Sequence, residues 1–345
     1  MNSIKSFYIV VISVMVIILG VPSLIVIAFD SNGTNQNTKN ISITTSSSTT
    51  PTKTETESIT VSVYRTSFQE VEKIGLEEYI KGVLAAEMPA SYELEALKAQ
   101  AISARTYFVR FLLTEKKDQA PQVPQGADIT DSTQHQVYKN QDELKEMWQN
   151  DDYDKYIMKI TQAVNETEGL IMTYNGELID ASFFAISNGY TENSEDYWSA
   201  SLPYLRSVPS PWDKNSPDFI NEKEVSSKEF QTNLGVKLSS DISVKRTSTN
   251  RVSTISIAGK EFTGDEFRKA LGLRSTDFSF KIVDDTILFT TTGYGHGVGM
   301  SQYGANSMAK EGKSYKEILK YYYKGIKIED MKPNEEYNDK LVVKS

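Results

Sequence analysis

Cysteine is absent from all 345 residues, and histidine occurs only twice. No disulfide, thiolate nucleophile or cysteine-bound zinc can form, and a three-histidine zinc site is out of reach. Positive charge is also in short supply. There are 37 Lys and Arg against 46 Asp and Glu, a formal net charge of −9. A nucleic-acid surface needs clustered Lys and Arg, so nucleic acid is excluded as a partner, and a strongly anionic polymer fits no better. One long apolar run is present, from Phe7 to Phe29 (FYIVVISVMVIILGVPSLIVIAF), without a charged residue. Its length suits a bilayer core, and transmembrane helices tolerate a proline such as Pro22. With Lys5 ahead of it, residues 1–6 are expected in the cytoplasm and the rest outside. A cleaved signal peptide would have a shorter apolar core and a small-residue cleavage site. The expectation is therefore an uncleaved single-pass anchor over 7–29.

Residues 30–58 are almost all Ser, Thr, Asn, Lys and Glu. Such a tract cannot bury a core and reads as a disordered tether, with a root-mean-square span of about 30 Å. The folded domain is expected over 59–335, with 336–345 as a polar tail. ITVSVYRT alternates as a strand does. LEEYIKGVLAAEMP reads as a helix stopped by Pro89. SYELEALKAQAISARTYFVRFLLTEK predicts a long helix with Ser91 as N-cap and Glu93 and Glu95 in its first turn. LIMTYNGELIDASFFAI predicts a hairpin turning at Asn175–Gly176, and VSTISIAGKEFTG a second. TGDEFRKALG reads as a short helix closed by Gly272. SYKEILKYYYKG carries a Ser314–Glu317 capping box and ends at Gly325. Helices and strands do not alternate regularly, so the fold class is α+β rather than a doubly wound parallel sheet.

The helix ahead of Pro89 has an apolar stripe of Leu76, Tyr79, Ile80, Val83 and Leu84, and the next position on it is Glu87. A carboxylate stands where a leucine is expected, in the last turn, where the helix dipole disfavours negative charge. Burial and dipole both raise its pKa, which suits a general acid. The alternative is a glutamate turned outward by the bend at Met88–Pro89. Lys98 and Arg105 are seven residues apart on one face of the long helix, beside an apolar stripe. Such a pair is usually a solvated face, but it can also steady a carboxylate or hold substrate oxygens. SNGYTENSEDYW sets Glu192, Glu195 and Asp196 near Tyr197 and Trp198. That mixture suits sugar binding, and it also suits an acidic surface loop. GYGHGVGMSQYGANSMAKEG, from Gly293 to Gly312, fits neither G-x-G-x-x-G nor a P-loop, and Ser301 is not in G-x-S-x-G. Its glycines let backbone amides approach a ligand, with Gln302 and Tyr303 as groups that read hydroxyls.

Taken in order, LAAEMPASYELEALKAQAISARTYF, SNGYTENSEDYW, LPYLRSV and GYGHGVGMSQYGANSMAKEG resemble the SpoIID family. These are the stage II sporulation protein D lytic transglycosylases of endospore-forming bacteria, with relatives in the SpoIID/LytB group. The resemblance runs from about Ile59 to Asp330. It implies an enzyme that cuts the β-1,4 bond between N-acetylmuramic acid and N-acetylglucosamine, leaving a 1,6-anhydro end. It places the catalytic acid at Glu87. Lys98, Arg105, Ser187, Tyr204, His296, Gln302 and Tyr303 become candidates for binding the sugars or orienting Glu87. It implies denuded glycan strands as substrate, a SpoIIP-type amidase that makes them, and a SpoIIM-type membrane scaffold. The location implied is the septal or engulfing membrane of the mother cell, with the catalytic domain outside the cytoplasm. Some family members bind zinc through two cysteines near the stretch written here TDSTQHQVY. Thr130 and His135 stand at those positions, so no metal and no cofactor is expected, and His135 is expected to pack or hydrogen-bond locally.

One carboxyl group suffices for the chemistry that the resemblance implies. Glu87 would protonate the glycosidic oxygen, then take the proton of the muramic acid 6-hydroxyl as that oxygen closes the anhydro ring. Ordinary glycosidases need a second carboxylate. The rival readings are a muramidase with Glu192 or Asp196 in that role, and a noncatalytic glycan-binding scaffold. Residues 207–250 carry no readable motif and are expected to be a partner surface.

Overall fold

A computed structural model of the chain describes residues 59–113, 123–198 and 200–331. The expected anchor at 7–29, the tether at 30–58 and the tail at 336–345 lie outside the described residues. Among the described residues no helix is long and apolar enough to cross a membrane. The two longest, Leu94–Leu113 and Gln141–Asn165, carry charges along their length, among them Glu95, Lys98, Arg105, Asp142, Glu143 and Lys145. Each such charge costs about 2.5–3.5 kcal/mol at the centre of a bilayer. The expected fold class and membrane location are corrected accordingly: the architecture is α+β, without a membrane-spanning helix among the described residues.

The described chain opens with β1 (Thr60–Arg65) and β2 (Glu70–Gly75) in antiparallel register. α1 (Leu76–Glu87) follows, burying Leu76, Tyr79, Ile80, Val83 and Leu84. The periodic stripe therefore faces the core as expected. α2 spans Leu94–Leu113. It starts three residues after Ser91, because Pro89 to Tyr92 form a turn closed by the Tyr92 N–H on the Pro89 carbonyl. The Glu93 carbonyl, not a Ser91 side chain, receives the first helical N–H groups, from Ala96 and Leu97.

After β3 (Ile129–Thr130), parallel to β1, comes α3 (Gln141–Asn165), capped by an Asn140–Glu143 box. The loop between them lies against α1 at Gly82. A Cβ there would sit 2.4 Å from the Tyr138 ring and 2.5 Å from the Lys139 carbonyl. The hairpin of β4 (Leu170–Tyr174) and β5 (Glu177–Leu178) turns at Asn175 and Gly176, both at positive φ, the type I′ requirement. β6 (Phe183–Phe184) and a single-turn helix, α4 (Glu195–Trp198), complete this half.

Residues 220–292 form an inserted lobe with its own core. It holds β7 (Ile220–Ser226), α5 (Ser227–Leu234), β8 (Ile242–Arg246), β9 (Val252–Ile257), β10 (Lys260–Thr263), α6 (Gly264–Ala270), β11 (Phe278–Val283) and β12 (Thr286–Thr292). Two antiparallel sheets, ordered β10-β9-β8 and β11-β12-β7, enclose Phe230, Phe267, Phe278 and Phe289. The chain then returns through β13 (Met300–Ser301), parallel to β6. α7 (Gln302–Lys310), α8 (Tyr315–Tyr322) and β14 (Lys327–Asp330), which pairs with β4, close the fold. The Ser314–Glu317 capping box forms as read.

Candidate active site

Glu87 is the last residue of α1, and its neighbours on the stripe are fully buried. Its side chain turns inward and accepts a hydrogen bond from the Val137 N–H, with Oε1 2.9 Å from the nitrogen. Its backbone carbonyl, left without a helical partner at the C-terminus, accepts Gln302 Nε2 at 3.0 Å. Burial raises the Glu87 pKa, and the Val137 bond opposes that rise. The residue borders a cleft of about 260 Å³. Tyr107 from α2, His135 to Val137 from the loop before α3, Ser182 and Phe183 around β6, and His296 also line it.

His296 takes the Val298 N–H on Nδ1 at 3.1 Å and also hydrogen-bonds the Phe183 backbone. Nδ1 is therefore the acceptor, and the ring proton belongs on Nε2. Burial pushes the pKa down to about 4, with the positive charges of Arg268 and Arg251 acting the same way. The imidazole is neutral at neutral pH. Its ring packs against Phe184, Tyr197 and Trp198, with centroids 5.5–5.6 Å apart. His135, the other histidine, hydrogen-bonds Thr130 through Nδ1 at 2.7 Å and meets Phe111 edge to face. Thr130 and His135 thus touch each other, which is the local bonding expected of His135.

The glycines around His296 serve close packing. Gly293, Gly295, Gly297 and Gly299 all have positive φ, between 79° and 110°. A Cβ at Gly299 would lie 1.9 Å from the Ser182 carbonyl, and one at Gly297 2.5 Å from the Arg251 guanidinium. The backbone they bring close is therefore that of the chain itself. The alternation threads residues 293–299 along 182–187 and delivers His296 to the cleft.

Of the residues singled out from sequence, Glu87 and His296 share the cleft, and Gln302 holds Glu87 by its carbonyl. Tyr303 donates its N–H to the Ala185 carbonyl and meets Tyr92 edge on. Lys98 and Arg105 are committed elsewhere. Lys98 pairs with Glu95 and Glu166, and Arg105, fully buried, clamps both carboxylate oxygens of Glu77 and the Leu170 carbonyl. Ser187 is buried against Asp213 and the Ser210 carbonyl. The Tyr204 hydroxyl accepts the Asp180 N–H.

The two acids considered as a second carboxylate differ in position. Glu192 is 1% exposed and accepts the hydroxyls of Thr247 and Thr249, while Asp196 is on the surface and holds Asn193. Sequence reasoning missed Val137, which acts through a backbone N–H, and Tyr107, hidden in an apolar helix. It also missed Asp213, in the stretch without a readable motif. No periodic signal marks any of the three.

The family model described as SpoIID, stage II sporulation protein, matches residues 64–174, the span that contains Glu87, His135 and Val137. The chain is 46% identical over 334 residues to the stage II sporulation protein D of Bacillus subtilis, covering 94% of this chain and 96% of that protein. It is 49% identical over 276 residues to the stage II sporulation protein D of Bacillus amyloliquefaciens, covering 79% of each. A more distant relative, the protein named amidase enhancer of Bacillus subtilis, is 32% identical over 306 residues, 71% of this chain and 39% of that one.

Proposed function

The chain belongs to the stage II sporulation protein D family, and on that premise we propose that it is a peptidoglycan lytic transglycosylase. It cuts the β-1,4 bond between N-acetylmuramic acid and N-acetylglucosamine in denuded glycan and forms a 1,6-anhydro end. The observation that carries this reading is a lone acid. Among the described residues lining the cleft, Glu87 is the sole carboxylic acid. A hydrolase of the ordinary kind needs two, about 5–10 Å apart. A transglycosylase needs one, because its nucleophile is a hydroxyl of the substrate.

Glu87 enters the reaction protonated, as its burial favours, and gives its proton to the glycosidic oxygen as the bond opens. The carboxylate then takes the proton of the muramic acid 6-hydroxyl as that oxygen attacks the anomeric carbon. Acid and base are one group used twice, and no water is consumed. The Val137 N–H steadies the carboxylate phase, and Gln302 fixes the backbone from which Glu87 projects. Neutral His296 forms a wall of the cleft without adding charge beside the developing cation. An amidase that strips stem peptides is the partner this substrate calls for, and one relative's name, amidase enhancer, fits such a pairing.

The test is digestion of denuded glycan strands by the full chain, read by mass spectrometry. Wild type gives anhydro ends, and Glu87→Gln loses about 10²–10⁴ in rate, the usual weight of a general acid–base group. Equal product from both proteins removes Glu87 from the chemistry. Reducing ends instead of anhydro ends mean hydrolysis. His296→Ala is expected to lower cleavage, and unchanged binding and cleavage would reduce the glycine segment to a structural turn.

A further inference from the structure

His296 lines the Glu87 cleft and also meets a pair of aromatic rings outside it. Trp198 lies 5.5 Å and Tyr197 5.6 Å from the imidazole, ring centre to ring centre. The two rings meet edge to face at 5.3 Å. They differ in exposure. Tyr197 is partly buried, and its hydroxyl donates to Asp265 on α6 of the inserted lobe. Asp265 is in turn held by Arg268 and Lys269. Trp198 is 38% exposed. The other two tryptophans are less exposed: Trp148 packs on Tyr153 and Tyr156, and the Trp212 indole N–H donates to Glu311.

An exposed indole costs free energy in water until something apolar covers it. The surroundings of Trp198 select what that is. Its own turn carries Glu195 and Asp196, with Asn193 just ahead of it on Asp196 and Arg206 paired to Glu195, a mixture of amide, carboxylate and guanidinium groups. A flat ring with hydrogen-bonding groups beside it matches a pyranose, whose CH face lies on the ring while its hydroxyls and acetamido group reach the polar side chains. A protein partner would want a larger apolar patch than one ring.

We propose that Trp198 is the stacking platform of a further sugar subsite, continuous with the Glu87 cleft through His296, for a β-1,4-linked N-acetylhexosamine chain. The inserted lobe sets the platform's orientation through the Tyr197–Asp265 bond. The identity of the occupant rests on the glycan reading above. The consequence is that the lobe, remote in sequence from Glu87, acts on how a long strand is held.

The experiment uses the full chain carrying Glu87→Gln, so that nothing is cleaved, titrated with the β-1,4-linked hexamer of N-acetylglucosamine. Calorimetry gives affinity, and intrinsic fluorescence reports the indole. Binding is expected with a fluorescence change. Adding Trp198→Ala weakens affinity about tenfold, the size of loss for a central interface aromatic. Trp198→Phe keeps most of the affinity and loses the fluorescence change. Tyr197→Phe, which removes only the hydroxyl, weakens binding by less. Equal thermal midpoints show that each variant is folded. A folded Trp198→Ala with the parent's affinity overturns the subsite, as does a parent that does not bind the hexamer. The two proposals fail separately. Anhydro products from wild type with an affinity indifferent to Trp198 remove the platform and leave the reaction. Lost affinity in Trp198→Ala with no anhydro product from wild type removes the reaction and leaves the platform.

Discussion

Glu87 stands on a stripe of α1 that otherwise carries apolar side chains. Its position on the apolar stripe of α1 buries the carboxyl, and burial raises its pKa above the ordinary 4.5. The folded protein therefore favours the neutral acid. That preference stabilises fully below about pH 4.5 and is lost as pH rises through the raised value, where a charge must be held in the cleft. Glu87→Gln keeps an acceptor for the Val137 N–H and removes the charge. The variant is expected to be more stable than wild type at pH 7, with the gap closing as pH falls toward 4, as measured by urea unfolding across that range. His296 has the opposite sign. Its pKa is lowered to about 4, so its contribution is whole above 6.5 and lost as pH falls through 4. It is present in both proteins, so their difference isolates Glu87. A pH-independent gap would mean that the carboxyl is not held neutral.

Among the elements, the segment from Gly293 to β13 shows why backbone conformation and close packing must be separated. Gly299 and Gly312 have nearly the same φ, 82° and 84°. Around Gly312 there is open space, while Gly299 lies under the Ser182 carbonyl. Gly312→Ala is expected to cost only the left-handed penalty, about 1–2 kcal/mol. Gly299→Ala must in addition push β13 off β6, and should cost at least about 2 kcal/mol more. Denaturant titration of the two variants measures this difference, and equal losses would contradict the packing argument. The same segment shows where local reading stops. The Asn175–Gly176 turn, the Ser314–Glu317 box and the α1 stripe were legible because their partners lie within a few residues. The start of α2 was displaced from Ser91 by a turn at Pro89, which competes over the same residues. The glycine alternation was visible, but a ligand and a neighbouring strand leave the same mark on a sequence.

For the molecule as a whole, Asp213 ties together segments that no local rule connects. It is fully buried and accepts the Ser187 N–H and the hydroxyls of Ser210 and Ser301, while Ser210 also meets the Tyr322 hydroxyl. The SNG turn, the 3-10 turn Pro211–Asn215, the start of α7 and helix α8 thus converge on one carboxylate. Asp213→Ala strands several buried donors and is expected to destabilise by about 3 kcal/mol or more in chemical denaturation. Asp213→Asn, which retains acceptance, is expected to lose less, and equal loss from both would contradict the hub. By itself the sequence determined the α+β class, the stripe of α1, the hairpins, the Ser314–Glu317 cap and the anomaly at Glu87. These depend on chain periodicity and on partners a few positions away. Only the tertiary structure decided which polar groups share a space. It spent Lys98 and Arg105 on Glu95, Glu166 and Glu77, sealed Glu192 under two threonines, and set His296 beside Glu87 from more than two hundred residues away. Pairing at that separation is settled by how the elements pack, which no local pattern records.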